Sequence, residues 1–346
     1  MKKTSKLLLL ALGVTLAVGV SACSKQAQGA DNSGSGDKDK ITMVFYPNES
    51  AKDFDDSRAE LQKKIEDATH KKVVMQKTTD YNVAIEAIAS GKAQLAFMGA
   101  DGYIQARSLN KKVNPLVVLS GPKGTLEGAS YRSYLMVPKA KADAYKDGDQ
   151  YSLKGVKGKK ISFVSQSSTS GFAVPTDAIQ REFKVKDKDT LSNSGKFFSK
   201  VMYGNTHPGS AVNLLKGDAD VAAFDDIDLY PYLKLTSGSY DKAGSEFTVK
   251  DDAKAPFQDL HGKTAVAIEV SPVQNGPLVV NDKALAKSDR DKIQKALTSK
   301  EFAEDKKLFT TPGSKTTSLF QKTGADTHLL PISDSWYAPT HKLVGK

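Results

Sequence analysis

Two distant segments of this chain repeat one layout, and that repetition restricts the possible folds more than any other feature. DYNVAIEAIASGKAQLAFMGADGY covers residues 80–103, and THPGSAVNLLKGDADVAAFDDIDLY covers residues 206–230. Each carries a helix-like apolar period that stops at a glycine, Gly91 or Gly217, where a left-handed residue commonly ends a helix. Each then enters a short apolar run, 95–98 or 221–224, of the kind that forms a buried parallel strand. Tyr81 and His207 both precede their glycine by ten positions, so each opens its helix. Upstream, ITMVFYPNESAKDF from Ile41 and ISFVSQSSTSGFAV from Ile161 both read as strand, polar loop and helix. Strand and helix therefore alternate twice over, which predicts an α/β architecture of two lobes, each a doubly wound sheet. The length from Ile41 onward also suits two lobes. In such sheets ligands bind beyond the carboxyl ends of the strands, against helix N-termini.

One such place is rich in hydroxyls. In FVSQSSTSGFAVPTDAIQ, residues 163–180, Ser167, Ser168, Thr169, Ser170 and Gly171 follow a strand and lead into a helix. The first amides of a helix have no intrahelical acceptor, and the helix dipole favours negative charge there. Serine and threonine hydroxyls add donors, and Gly171 permits close backbone approach. Pro175 requires the helix to begin just before it or to kink there after one turn. These features suit the oxygens of an anion, although a plain Ser/Thr helix cap accounts for the same letters. His207, followed by Pro208, and Tyr81, preceded by Asp80, could each add a donor from another helix start. Alternatively, His207 caps its helix and Tyr81 packs between lobes. Uncharged donors suit a ligand that must be released, because they hold it by direction without a fixed countercharge.

The N-terminus bears on location. Lys2, Lys3 and Lys6 precede an apolar run, 7–20, too short to span a bilayer and matched to a secretory signal. It ends in Val20-Ser21-Ala22-Cys23, and Cys23 is the only cysteine, so no internal disulfide can form. The expectation is a signal peptide over 1–22, a lipidated Cys23, and a flexible tether through residue 40. Two acyl chains would anchor the protein outside the membrane. The formal charge is +10, and removing the three leader lysines would lower it to +7. Lysines alternate with Asp and Glu, as in KDFDDSRAELQKKIEDATHKK, so this is a solvated surface and not a nucleic-acid groove. The histidines at 70, 207, 261, 328 and 341 never fall at metal-ligand spacing, so no metal and no cofactor is expected.

Taken together, the Val20–Cys23 lipobox, Thr79-Asp80-Tyr81, Ser168-Thr169-Ser170-Gly171, His207 at a helix start, Ser271-Pro272 and the tail LLPISDSWYAPTHKLV resemble the PhnD-like family. Its members are the substrate-binding proteins of phosphate, phosphite and phosphonate ABC importers. The resemblance implies a two-lobe, type II periplasmic-binding fold with two crossover hinges, near 137–139 and 263–270. Lobe 1 would be 41–138 plus 264–346, and lobe 2 would be 139–263. The ligand, a small tetrahedral oxyanion, would be held by Tyr81 and Tyr131 from lobe 1 and by Ser168, Thr169, Ser170 and His207 from lobe 2. The partners implied are an ABC permease and its ATPase, with the protein a monomer and not an enzyme. Relatives that grip an aminoalkylphosphonate place acids around its ammonium; here those places fall on Ile227 and Gly276. Asp225, Asp226 and Asp228 are close enough in sequence to substitute, but with all three read as solvent-facing turn residues the expected ligand has no amine: phosphate, phosphite or methylphosphonate. An exported serine hydrolase is an alternative, but no G-x-S-x-G or S-x-x-K surrounds the clustered serines. SNSGKFFS, 192–199, departs from a P-loop at Thr190 and Phe197. A ligand-binding component of a membrane sensor is the other alternative.

Overall fold

A computed structural model describes residues 39–49, 51–311, 314 and 316–345. The leader, Cys23 and most of the tether lie outside these residues; Lys40, expected to end the tether, opens the first strand. Among the described residues, no helix is long and apolar enough to cross a membrane.

The first sheet contains β1 (Lys40–Phe45), β2 (Lys72–Lys77), β3 (Leu95–Phe97) and β4 (Val113–Leu119). The second contains β5 (Ser130–Pro138), β6 (Lys160–Phe163), β7 (Lys200–Tyr203), β8 (Val221–Asp225), β9 (Leu233–Ser237), β10 (Glu246–Val249) and β11 (Thr264–Gln274). The chain then returns to the first sheet with β12 (Pro277–Asn281) and β13 (Leu329–Pro331). The strand orders are β13-β4-β12-β3-β1-β2 and β9-β10-β11-β5-β8-β6-β7. β1 is parallel to β2 and β3, and β8 is parallel to β6, which is parallel to β7. In each sheet the chain arriving from the other enters as an interior strand antiparallel to its neighbours: β12 beside β3, and β5 beside β8.

The expected crossings at 137–139 and 263–270 do not mark the passage between sheets. β5 and β11 pair along their lengths inside the second sheet, from Ala265↔Pro138 to Gln274↔Ser130. Sheet membership puts the passages at 120–129 and 275–276. Each strand combines an apolar run, Tyr134–Val137 or Ala265–Ile268, with a more polar stretch, and nothing in that pattern says which sheet a strand joins.

Alternation within strands explains why both faces are covered. Ile41, Met43 and Phe45 of β1 pack into one core, with Leu61 and Ile65 of α1 (Asp55–Thr69) and Ile293 of α6 (Lys287–Leu297), whereas Val44 faces another. That second core holds Ile85 and Ile88 of α2 (Tyr81–Ser90) and Tyr103 of α3 (Ala100–Leu109). In the second sheet Val221 and Ala223 of β8 pack with Ile179 of α4 (Val174–Phe183), while Ala222 and Phe224 face Leu214 of α5 (His207–Lys216). Each fully buried Val, Leu, Ile or Phe contributes roughly 1.5–3 kcal/mol, so the register is strongly held.

The two helix–glycine units form as their spacing predicts. Asp80 caps α2 by accepting from the Asn82 amide at 2.7 Å, and Thr206 caps α5 by accepting from Gly209 at 2.9 Å. Gly217 ends α5 at φ +90°, a conformation that L side chains rarely adopt. The carboxyl ends of β1, β3, β6 and β8 thus lead into the polar loops and helix starts that hold the candidate residues.

Candidate functional site

Ser168 opens a π-helical turn, Thr169–Ala173, which continues as α4 with Pro175 in its first turn. The wide turn is closed by the Ala173 amide donating to the Ser168 carbonyl at 3.0 Å. Ser168 Oγ caps it by accepting from the Gly171 amide, also at 3.0 Å. A Cβ at Gly171 would lie 2.3 Å from Val164 Cγ2 and 2.8 Å from Ser168 Oγ, so only glycine fits this bend.

Around this turn, four of the six expected residues meet directly, all from the second sheet, because Tyr131, expected from lobe 1, lies on β5. Tyr131 OH donates to Ser170 Oγ at 3.1 Å, and His207 Nε2 lies 3.4 Å from Ser170 Oγ and 3.5 Å from Ser168 Oγ. The tautomer of His207 is set by its other nitrogen. The Asp225 amide donates to Nδ1 at 3.0 Å, so Nδ1 is unprotonated and Nε2 carries the hydrogen. Burial holds the imidazole neutral, with its pKa pushed down to about 3. His207 is thus an uncharged donor.

Thr169 and Tyr81 sit one contact further out. Thr169 Oγ1 accepts from the Asp101 amide at the start of α3, at 2.9 Å, which ties the second-sheet turn to a first-sheet helix. Tyr81 OH accepts from Asn48 Nδ2 at 2.8 Å, and Asn48 Oδ1 accepts from the His207 amide at 3.1 Å. As acceptors in these bonds, Tyr81 OH and Thr169 Oγ1 each keep a proton to donate, and burial raises the Tyr81 and Tyr131 pKa values, so both phenols remain neutral. Ser167 Oγ adds another tie between the sheets, lying 3.0 Å from Asn82 Oδ1 and 3.2 Å from Gln105 Oε1.

The acidic turn after β8 corrects the sequence reading. Asp225, Asp226 and Asp228 are not solvent-facing turn carboxylates: Asp225 is 3% exposed, Asp226 4%, and the Asp228 side chain 10%. It is Ile227, between them, that points out, at 41% exposure. Asp225 Oδ2 lies 3.2 Å from His207 Nε2 and 3.2 Å from Ser170 Oγ, and its Oδ1 accepts from the Asp228 amide at 3.1 Å. Asp228 Oδ2 stands 3.9 Å from His207 Nε2. Asp226 is turned away and paired with Arg132, whose Nη1 lies 3.0 Å away. Gly276 packs where a Cβ would fall 2.4 Å from the Met98 carbonyl. The inward fold of this turn follows from the bond between the Asp225 amide and His207, a partner that is distant in sequence.

Burial raises the pKa of all three acids. For Asp225 the main cause is desolvation, reinforced by Asp228 and Asp226; Asp228 is pushed up to about 7 by burial and Asp226. Asp226 is raised by burial against the opposing pull of Arg132. Glu49, in the loop after β1, is raised by burial and Asp228, and its Oε2 is buried with no hydrogen-bond partner. Sequence reasoning missed Asn48, Glu49 and Asp101; the polar loop in PNES was the available sign for the first two.

His207, Asp225 and Asp228 bring ligand-type atoms within 4.8 Å of one another. The proton on Nε2 leaves that nitrogen no lone pair for a cation, and the cluster in this state donates to an acceptor.

Comparisons with known proteins identify the family and the fold. A family described as ABC transporter, phosphonate, periplasmic substrate-binding protein matches residues 43–337. The phosphate-import protein PhnD of Mycolicibacterium smegmatis is 31% identical over 242 residues, which is 67% of this chain and 72% of that protein. A binding protein component of an ABC phosphonate transporter from Pseudomonas aeruginosa shares the fold with a TM-score of 0.63 at 16% identity, over 89% of this chain and 86% of that one. PhnD1 of Prochlorococcus marinus, solved with methylphosphonate, gives 0.61 at 13% identity, over 88% and 97%. The fold is the type II periplasmic-binding arrangement, and the chain belongs to the family of periplasmic substrate-binding proteins of phosphonate ABC transporters.

Proposed function

We propose that this protein captures phosphate, phosphite or a small phosphonate lacking an amine, with Ser168, Thr169, Ser170, His207, Tyr81 and Tyr131 as its donors. The observation that carries this reading is the meeting of four buried side chains, Tyr131, Ser168, Ser170 and a neutral, Nε2-protonated His207, through contacts of 3.5 Å or less. A tetrahedral oxyanion presents several acceptor oxygens, and this set offers hydroxyl, phenol and imidazole donors from several elements. The lobes follow the sheets, with the chain passing between them at 120–129 and 275–276. Closure ties Thr169 to Asp101 and Asn48 to His207, and the closed form is the one a permease and its ATPase receive.

The tautomer also favours binding over hydrolysis. A nucleophilic serine needs an imidazole lone pair facing its hydroxyl, whereas Nε2 here carries a proton. The protein acts as a monomer on the outer face of the membrane, held by acyl chains on Cys23 after residues 1–22 are removed; the Val20–Cys23 lipobox supports this part.

A second reading rests on one observation: the unpartnered, buried Glu49 Oε2 near Asp228 could receive an ammonium. Calorimetry on residues 36–346, which form their own compact unit, separates the two. Tight binding of phosphate, phosphite or methylphosphonate, weakened by Ser170→Ala, is expected. Tight binding of 2-aminoethylphosphonate alone would establish the second reading instead.

A further inference from the structure

Asp225 lies among the oxyanion donors. Its Oδ2 lies within 3.2 Å of both Ser170 Oγ and His207 Nε2, which are two of the donors assigned above to the ligand. One carboxylate oxygen therefore occupies the kind of position a phosphoryl oxygen takes. The other, Oδ1, is tethered by the Asp228 amide, and the Asp225 amide orients His207, so the carboxylate cannot leave without disturbing the donors.

A ligand anion seated on Ser170 and His207 must thus lie against Asp225. Two fully ionised groups at that separation repel strongly in a buried site unless they share a proton. The other charged groups facing this carboxyl give it little relief. Asp228 and Glu49 are acids, His207 is neutral, and Tyr81 and Tyr131 are neutral phenols. Arg132 is engaged by Asp226 and Asp241, and Arg58 by Asp55 and the Glu49 carbonyl. A P–O–H hydrogen on the ligand removes the conflict by donating to Asp225.

Resting on the ligand seat assigned above, we propose that Asp225 is the specificity residue of this pocket: it accepts a hydrogen bond from a P–O–H group, so the protein takes proton-bearing oxyanions and rejects fully ionised ones such as sulfate. The group touching Asp225 is a phosphoryl oxygen and not an ammonium, because Ser170 and His207 hold phosphoryl oxygens within one hydrogen bond of it.

The test is calorimetry against phosphate, phosphite, methylphosphonate and sulfate across neutral and alkaline pH. Phosphite and methylphosphonate lose their last P–O–H proton near neutrality, whereas phosphate keeps one well beyond it. Above that ionisation, affinity for the first two should fall about tenfold per pH unit while phosphate affinity changes little. Sulfate should bind at least about 10³-fold more weakly than phosphate near pH 8. Asp225→Asn should bring sulfate within about tenfold of phosphate and flatten the phosphite profile. The wild-type profiles stand alone if that variant fails to fold. Sulfate binding within about tenfold of phosphate, or a flat alkaline profile for phosphite, would overturn the proposal while leaving the oxyanion function intact. Failure of every phosphorus oxyanion to bind would remove both.

Discussion

Replacing Thr169 with valine tests how the two sheets are coupled to the ligand. Thr169 Oγ1 accepts from the Asp101 amide at 2.9 Å, and a Cβ on Gly99 would lie only 3.0 Å from that oxygen, so the contact is tight and leaves no gap for a water. Valine keeps the shape and removes the acceptor. A buried amide that loses its acceptor costs about 1–3 kcal/mol. The bond joins an element of each sheet, and the same hydroxyl is a donor proposed for the ligand, so the loss falls on the closed, ligand-bound state and predicts a Kd raised at least about 5- to 150-fold. Capture occurs on the open form, so stopped-flow mixing should find the change in the dissociation rate with the association rate nearly constant. Thr169→Ser restores the hydroxyl and should return Kd to within about threefold of the native value. An unchanged Kd for the valine variant, or a loss confined to association, would refute this coupling.

Two further outcomes follow from the same geometry. Gly171→Ala places a methyl 2.3 Å from Val164 Cγ2; such overpacking typically costs about 1–3 kcal/mol, read as a lower denaturation midpoint together with weaker oxyanion binding. The second concerns pH. Asp228 titrates near 7 in the folded chain against an ordinary 3.8, so its contribution to stability declines as pH rises between those values. His207 titrates near 3 against an ordinary 6.5, so its contribution rises with pH across that window. Denaturant titrations of the ligand-free protein from about pH 4 to about pH 6.5 should therefore show Asp228→Asn shifting the slope upward and His207→Gln shifting it downward, each by up to about 1.4 kcal/mol per pH unit. Slopes that move the other way would contradict the buried states of these groups.

Local pattern made much of this legible. The helix–glycine–strand units at 81–97 and 207–225 could be read from period and punctuation because a helix stop and a buried strand are decided by neighbours in sequence. The hydroxyl cluster was visible for the same reason, although the π-helical form of its first turn was not, since that depends on Gly171 lying against Val164. The sheet membership of β5 and β11 could not be read, because they recognise one another across more than a hundred residues. The acidic turn was misread on similar grounds. AFDDIDLY is a plausible exposed turn by composition, and only the distant bonds of Asp225 to His207 and of Asp226 to Arg132 turn the acids inward and Ile227 out.

Those acids change what the uncharged donors accomplish. A pocket of hydroxyls, a phenol and a neutral imidazole would by itself hold sulfate and a phosphorus oxyanion with little preference, since both offer tetrahedral acceptor oxygens. Adding a lysine or arginine would strengthen both without separating them, and would oppose release. A carboxylate set within 3.2 Å of the same donors does the reverse: it weakens every anion, but weakens least the one that can give a hydrogen bond back. Affinity lost to Asp225 is thus converted into discrimination, and the bonds that join the two sheets, from Asp101 to Thr169 and from His207 to Asn48, proposed above to form on closure, supply binding energy that does not depend on ligand charge. Selectivity and hold are therefore set by different residues, so substitutions at Asp225 should alter which anion binds, and substitutions at Thr169 should alter how long any of them stays.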